Sequence, residues 1–381
     1  MTSYKHLFQR ATAAAPDRLH MAAHSHHLWP DASWLGQQAA WEDAARLADR
    51  KWRRVMEEIW PAAQEHVAHE LDLPDPSTVC FSSNTHDFLL RIASAIERRP
   101  IRILTTDGEF HSFTRQALRW VEAGEVVVER VPVGDGFEAR LLDRAASGEH
   151  DLIVVSQVMF GTGRIVGGFD ALAQVARPER PWLLIDGYHG FMAVETDLSA
   201  IADRAFYTSG GYKYAMAGEG VGFLHAPAGF APRPVATGWY GAFDDLALPP
   251  EQVGYAPDAR RFLGATFDPS GLYRFVAVRD MLAREGISTG VVSAHVAALR
   301  DRLIGGLGRS PLGHAELVNP PGKGAQARFI ALRSPHASDW QAALSARDVI
   351  TDVRGDVLRI GLGLYHDERD IDCFCAIASE L

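Results

Sequence analysis

Short apolar segments alternate with helical patterns between about residues 75 and 226 of the chain. The segments are rich in β-branched and aromatic residues, and polar or glycine-containing turns separate them from the helical patterns. Strands that alternate with helices are typical of a mainly parallel sheet covered by helices. The pattern therefore predicts an α/β fold with strands at residues 79–81, 101–104, 126–131, 152–156, 182–185, 205–207 and 221–225.

The flanking segments predict a different organisation. Residues 34–64 have the pattern of one or two amphipathic helices. A long helical stretch from about residue 270 to residue 307 precedes strand patterns at 327–332 and 357–360 and a last helix from about Glu368. Helices followed by strands of antiparallel type indicate a separate α+β unit.

We therefore expect three parts along the chain. They are an N-terminal arm at residues 1–30, a large α/β domain at residues 31–264 and a smaller C-terminal α+β domain at residues 265–381. A chain of 381 residues is long enough to form two domains of ordinary size.

Composition narrows the class of partner. The formal charge of −10 and the lack of a long Lys/Arg run argue against a nucleic-acid partner. Cys80, Cys373 and Cys375 form no CxxC motif, which fits a reducing compartment. No stretch approaches the roughly 18 apolar residues that span a bilayer, and the N-terminus lacks an apolar signal region. We expect a cytoplasmic protein that binds a small molecule and no membrane.

A single lysine, Lys213, lies between two glycine-rich stretches. It follows one predicted strand and precedes the next, with Gly210 and Gly211 before it and Gly218 and Gly220 after it. A lysine that forms a Schiff base needs a desolvated amine and little side-chain bulk where a planar cofactor approaches. Lys213 is placed to meet both needs, although such turns also carry ordinary surface lysines.

An acid, Asp186, stands at the C-terminal end of a fully apolar predicted strand. Open α/β sheets bind ligands at this edge. A carboxylate there can keep a pyridine nitrogen protonated, which makes pyridoxal phosphate (PLP) an electron sink. Asp186 could instead cap the next helix. His189 could hydrogen-bond the phenolate oxygen of PLP or be an ordinary buried histidine.

A third group of polar residues, Ser83, Asn84 and Thr85, lies between a predicted strand and a helical run. Backbone amides and hydroxyls at the start of a helix can hold a phosphate, although the same residues also serve as a simple N-cap. Phosphate cradle, acid and lysine follow one another at the ends of successive strands. The combination predicts an enzyme that uses pyridoxal 5'-phosphate, with Lys213 as the lysine that carries it.

These residues resemble the class V aminotransferase family of PLP-dependent fold type I enzymes, and within it most closely the kynureninases. The resemblance extends over nearly the whole chain and implies a set of cofactor contacts. They are Ser83, Asn84, Thr85 and Tyr212 with the phosphate, Phe110 stacked on the ring, and Asp186 and His189 in an Asp-x-x-His motif. The aspartate of the kynureninase Phe-Pro-Thr-Asp segment falls at Phe113, so one polar contact of that group is missing.

The resemblance also implies substrate contacts. Ser25 lies in a segment that looks like the substrate-binding arm of the family, but His24 and His27 stand where Asn and Gly are usual. Arg359 resembles the arginine that binds the substrate carboxylate, a task to which its planar guanidinium is suited.

Two further segments imply contacts at the site, and the second of them implies a dimer. Trp239 lies in a turn similar to the Gly-Trp-aromatic-Gly turn near the phosphate. Thr266 lies in a segment similar to the Arg-Phe-x-x-Gly-Thr stretch that reaches into the site of the neighbouring subunit. The resemblance therefore implies a homodimer with shared active sites.

For an amino acid substrate the resemblance leaves two outcomes open. A kynureninase-like hydrolase cleaves a Cβ–Cγ bond, whereas a class V aminotransferase passes the amino group to a keto acid, and both begin with removal of the Cα proton by Lys213. We favour the kynureninase-like hydrolase. Cysteine desulfurases of the same superfamily carry a catalytic cysteine near residues 349–356, where this chain has none.

A remote alternative is a metal enzyme built on His20, His24, His26 and His27. Paired ligands on one helix face favour a spacing of four residues and a nearby acid, which this cluster lacks. We therefore expect no metal site there.

Overall fold

The computed structural model describes residues 2–245, 249, 251–322 and 324–381. Its strands, in chain order, are β1 Leu19–His20, β2 Val79–Ser82, β3 Ile101–Thr106, β4 Val126–Val131, β5 Leu152–Ser156, β6 Trp182–Asp186, β7 Ala205–Gly210, β8 Gly222–His225, β9 Glu316–Leu317, β10 Phe329–Arg333, β11 Val349–Ile350, β12 Asp352–Arg354 and β13 Val357–Gly361. Its α-helices are α1 Gln9–Ala14, α2 Asp31–Leu47, α3 Lys51–Arg54, α4 Trp60–Glu70, α5 Thr85–Ser94, α6 His111–Glu122, α7 Phe137–Ala146, α8 Phe169–Val175, α9 Ser270–Arg284, α10 Thr289–Leu307, α11 Ala337–Ser345 and α12 Glu368–Ala378.

A seven-stranded sheet in the order β2-β8-β7-β6-β5-β3-β4 forms the centre of the molecule. Strands β4, β3, β5, β6 and β7 run parallel, and β8 is antiparallel to both of its neighbours. Every residue of β5 is buried, because a central parallel strand has both faces covered. The predicted mainly parallel α/β fold is confirmed, and all of the predicted strands of this region are present.

The C-terminal ends of three neighbouring strands meet at one edge of this sheet. Ser156 on β5 is in register with Asp186 on β6, and Asp186 is in register with Thr208 on β7. All parallel strands of a sheet end at the same edge, so these polar side chains form a row above an apolar core. The predicted strands at residues 101–104 and 205–207 continue to Thr106 and Gly210, which lengthens that edge.

A second, antiparallel sheet in the order β12-β13-β10-β9 forms the smaller α+β unit. The long helical stretch expected at residues 270–307 is two helices rather than one. Gly286 has a φ of 66°, which ends α9, and the Ser288 hydroxyl accepts a hydrogen bond from the Val291 amide, which starts α10. The division between residues 264 and 265 stays a prediction.

The N-terminal segment contacts both the small sheet and the turn that carries Lys213. β1 pairs in parallel with β11, and Ala22 bridges Gly361 at the end of β13. A few residues later the His27 amide donates to the Tyr212 carbonyl next to Lys213. The arm therefore connects the small sheet to the lysine-bearing turn. Within the described residues, no helix combines the length and apolar character needed to cross a membrane.

Gly187, directly after β6, tests how tightly the sheet edge is packed. A Cβ at this position would lie 2.0 Å from the hydroxyl of Tyr207, whose buried ring is held by a 2.8 Å hydrogen bond to Gln157. We expect Gly187→Ala to lower the free energy of unfolding by about 1–3 kcal/mol, measured by urea denaturation. The matched control, Gly167→Ala, has nothing within 4 Å of its new methyl group and should change it by less than about 0.5 kcal/mol. Equal urea midpoints for both variants would contradict this packing.

Candidate active site

A cavity of about 240 Å³ opens at the C-terminal ends of β5, β6 and β7. Most of the cofactor residues expected from the sequence line it together: Asn84, Thr85, Phe110, Asp186, His189, Tyr212 and Lys213. They come from four separate segments of the chain, and the parallel sheet brings them to one point.

Lys213 is buried among aromatic rings. Its Nζ lies 4.5 Å from the ring centroid of Tyr188, 5.3 Å from that of Tyr212 and 5.4 Å from that of Phe110. Burial lowers the pKa of the amine to about 7, and Asp186 offsets part of this effect. A large fraction of the amine is therefore neutral near pH 7, the form that forms a Schiff base.

Asp186 is held at the end of β6 by local hydrogen bonding. One carboxylate oxygen accepts a 2.9 Å hydrogen bond from the Tyr188 amide. Burial raises the pKa of the carboxyl, and the hydrogen bond and Lys213 act in the opposite direction. A cationic ring nitrogen in the cavity would remove the cost of keeping this carboxylate charged.

His189 lies in the cavity wall with an unused ring nitrogen. The side chain is buried, and its Nδ1 has no hydrogen-bond partner within the described part of the chain. Burial holds the pKa of the imidazole well below its ordinary value, and Lys213 adds to the effect. A buried polar atom without a partner indicates a missing group, and a phenolate or carbonyl oxygen of a bound ring would supply one.

The start of α5 forms one end of the cavity. The Asn84 side chain caps the helix by accepting a 3.1 Å hydrogen bond from the Asp87 amide, and Thr85 begins the helix. Gly222 on the neighbouring strand allows this close approach, since a Cβ there would lie 2.8 Å from the Asn84 backbone. The free amides at this helix start are suited to a phosphate.

Other expected site residues lie outside the cavity lining. Ser83 is exposed and donates to the Asp87 carboxylate at 3.3 Å, and the Ser25 hydroxyl contacts His26 at 3.3 Å. Trp239 and Thr266 are both exposed. The contact of Trp239 near the phosphate and that of Thr266 with a partner's site stay predictions. Arg359 is buried close to the cavity wall, where its Nη1 donates to the Phe160 carbonyl at 2.5 Å.

Sequence reasoning missed several residues of the site. Ser156, Tyr188 and Phe160 line the cavity. Behind them, Glu109 is buried and accepts hydrogen bonds from Ser156 at 2.5 Å and Thr106 at 2.7 Å. Ser156 ends a fully apolar strand just as Asp186 does, so the same signal identifies it.

The histidines of the N-terminal segment do not converge. The His20 ring contacts the Tyr365 hydroxyl at 2.5 Å, His24 stacks on Phe329 and His26 stacks on Tyr212. Among the described residues no group of three potential ligand side chains is arranged to hold a metal ion.

Four groups meet in one cavity: a buried lysine of lowered pKa, a strand-end carboxylate, an unpartnered histidine nitrogen and a helix start. They suit the aldehyde, ring nitrogen, phenolate and phosphate of PLP, respectively. A mainly parallel sheet with this arrangement defines a PLP-dependent enzyme of fold type I. The sequence model of the family described as aminotransferase class V matches residues 48–374, and the chain belongs to that family. The resemblance to the class V aminotransferase family is thereby confirmed, and PLP is the cofactor.

Individual relatives carry several different names. The chain is 27% identical over 362 residues to an isopenicillin N epimerase of Streptomyces clavuligerus, covering 86% of each chain. It is 27% identical over 380 residues to a probable cysteine desulfurase of Pseudomonas aeruginosa, covering 90% of this chain and 86% of that one. The solved structure of a C-DES mutant, with glycine covalently linked to the PLP cofactor, superimposes with a TM-score of 0.82 at 18% identity over 100% of both chains.

Glu109 gives the site a measurable pH dependence. Burial raises the pKa of its carboxyl from 4.5 to about 7. Between these values the folded protein retains a proton that the unfolded chain has lost, so this group makes stability fall as pH rises. This group should lower the unfolding free energy of the wild type by up to about 1.4 kcal/mol per pH unit, and Glu109→Gln should remove that decrease. The unfolding free energy of the variant minus that of wild type should therefore rise between pH 5 and 7.

Glu97→Gln, at an exposed position, is the matched control for the Glu109 experiment. Its difference from wild type should stay flat over the same pH range. A flat difference for Glu109→Gln as well would show that the folded protein does not hold the extra proton.

Proposed function

We propose that this protein is a PLP-dependent enzyme that removes the Cα proton of an amino acid with an apolar or aromatic side chain. The observation that carries the proposal is the buried Lys213 amine, which shares one cavity with Asp186, His189 and the start of α5. Together these groups match the aldehyde, the ring nitrogen, the phenolate oxygen and the phosphate of the cofactor.

Each residue has a distinct task in this proposal. PLP, when bound, supplies an electron sink for the charge left by the Cα proton. Lys213 accepts that proton at Nζ and returns it, a role for which a pKa of about 7 is suited. Asp186 holds a proton on the ring nitrogen, His189 Nδ1 binds the phenolate oxygen, and the amides of α5 bind the phosphate.

The side-chain preference follows from the cavity wall. Phe110 and Phe160 pack edge to face at a centroid distance of 5.4 Å, and the buried Phe113 lines the same cavity. Such a wall excludes water and contacts an apolar or aromatic group.

For the fate of the substrate we place Cα-centred outcomes, epimerisation or transamination, ahead of cleavage. Both begin with proton transfer at Cα by Lys213 and break no Cβ–Cγ bond, although transamination also needs water and a keto acid acceptor. An epimerase is among the relatives. Kynureninase-like hydrolysis is the second candidate: the aromatic wall suits an aromatic amino ketone, but Phe113 gives no polar contact where kynureninases have an aspartate. Cysteine-based desulfuration lacks its nucleophile, because Cys80 lies in β2 and Cys373 and Cys375 lie in α12.

We also propose that the enzyme works in the cytoplasm as a homodimer. Trp239 has 44% of its surface exposed, and Thr266 is exposed as well. Neither lines the cavity of its own chain, which supports a contribution to the site of a partner subunit.

The proposal is tested by following the Cα proton directly. Holoprotein is incubated in D₂O with phenylalanine, kynurenine, alanine and glutamate, and the Cα–H signal of each is followed by NMR. We expect exchange to be fastest for the aromatic substrates, to be abolished in Lys213→Ala and to be retained in Lys51→Ala. Absence of exchange with every amino acid, in protein that has bound PLP, would contradict the proposal.

The products of the same incubations separate the candidate outcomes. The D-enantiomer indicates epimerisation, and pyridoxamine phosphate with a keto acid indicates transamination. Anthranilate with alanine, formed from kynurenine, would reverse our order and establish the hydrolase.

A further inference from the structure

Arg359 and Asp352 face each other across the small sheet. Asp352 on β12 is in register with Arg359 on β13, and the guanidinium Nη2 donates to the carboxylate Oδ2. The two side chains are 4% and 11% exposed, so the pair is largely desolvated. The other side of the guanidinium contacts the backbone of Phe160, which lines the cavity. The Asp352 carboxylate is thus already paired with the arginine that lies next to the proposed substrate site.

Two other groups are placed to take over this carboxylate. Arg354 Nη1 donates to Asp352 Oδ1 at 2.6 Å. His24 Nε2 lies 3.6 Å from Oδ2, the same oxygen that Arg359 contacts. His24 is fully buried, and neither of its ring nitrogens has a hydrogen-bond partner in the described part of the structure. A buried donor without a partner at this distance points to a second position of the carboxylate.

Arg359 has an unused donor of its own. Its buried Nε has no hydrogen-bond partner among the described residues. Guanidinium groups bind carboxylates best through two parallel N–H donors. When the Asp352 carboxylate moves away, two parallel N–H donors of the Arg359 guanidinium can therefore bind a second carboxylate.

We propose that Asp352 is an internal competitor for the substrate carboxylate. It pairs with Arg359 while the site is free and moves to His24 and Arg354 when a substrate carboxylate pairs with Arg359. This inference rests on the proposed function and on the expectation from the sequence that Arg359 binds the substrate carboxylate.

The exchange leaves each charge with a partner. Breaking a buried ion pair is costly when one charge remains alone in a desolvated site. Here Arg359 gains the substrate carboxylate, and Asp352 keeps Arg354 and gains the imidazole N–H of His24. A ligand that makes only a weak contact with Arg359 does not displace Asp352, so the competitor selects for a well-placed carboxylate.

The competition is measured with a ligand that cannot react. Hydrocinnamate carries an aromatic ring and a carboxylate but no amine, and hydrocinnamamide is its neutral counterpart. The holoenzyme is titrated with each by calorimetry. We expect Asp352→Asn to lower the Kd for hydrocinnamate by about tenfold or more, because one charge-assisted competitor is removed, and to leave the Kd for the amide unchanged.

A second variant separates competition from structural damage. Arg354 is 43% exposed, so Arg354→Gln should fold, and it removes the charged partner that Asp352 keeps after it leaves Arg359. We expect the Kd for hydrocinnamate to rise several-fold, opposite in sign to Asp352→Asn, whereas general loosening of the site would weaken both variants. Unchanged or weaker binding in Asp352→Asn would show that Asp352 merely orients Arg359 and would overturn the inference.

Arg359→Gln distinguishes failure of this inference from failure of the proposed function. We expect it to abolish the preference for the carboxylate over the amide. If the preference persists, Arg359 is not the carboxylate site and the inference falls. The proposed function would still stand if Cα–H exchange by Lys213 is observed.

Discussion

The structure depends on keeping one lysine amine out of water. Lys213 is buried among aromatic rings, where a charged ammonium would be costly, and the amine therefore becomes neutral near pH 7. Its turn needs rigid support to hold it there. The buried Arg274 on α9 donates to the Ala217 carbonyl at 2.7 Å, and the N-terminal arm donates to the Tyr212 carbonyl at 3.0 Å. Helix α9 and the N-terminal arm thus both support the turn that holds a single nitrogen.

Charged side chains around the cavity lie close to side chains of opposite charge. Asp186 stands at the sheet edge next to Lys213. Burial raises the pKa of the nearby Glu109 carboxyl to about 7, and hydrogen bonds from two hydroxyl groups oppose this effect. On the other side, Asp352 neutralises Arg359 close to the wall. A cationic ring nitrogen and a substrate carboxylate would each find a partner of opposite charge in this arrangement.

Much of this site could be predicted from the sequence, because its main signals are local. Asp186 ends an apolar strand, Lys213 lies between glycines, and both properties are visible in a few consecutive residues. The strand pattern likewise predicted the mainly parallel sheet. Contacts between distant segments could not be predicted: Ser156 and Glu109 are 47 positions apart and meet only because β3 and β5 are neighbours in the sheet. The orientation of Ser83 toward Asp87 depends on the geometry of a single turn.

The covalent attachment site of PLP tests the account most directly. Holoprotein is reduced with sodium borohydride, digested and analysed by mass spectrometry, so that the lysine that carried the cofactor keeps a phosphopyridoxyl group. We expect the phosphopyridoxyl group on the peptide that contains Lys213. Its presence on Lys5, Lys51 or Lys323 instead, or its absence from every lysine of a protein that has bound PLP, would contradict the central role given to the buried amine.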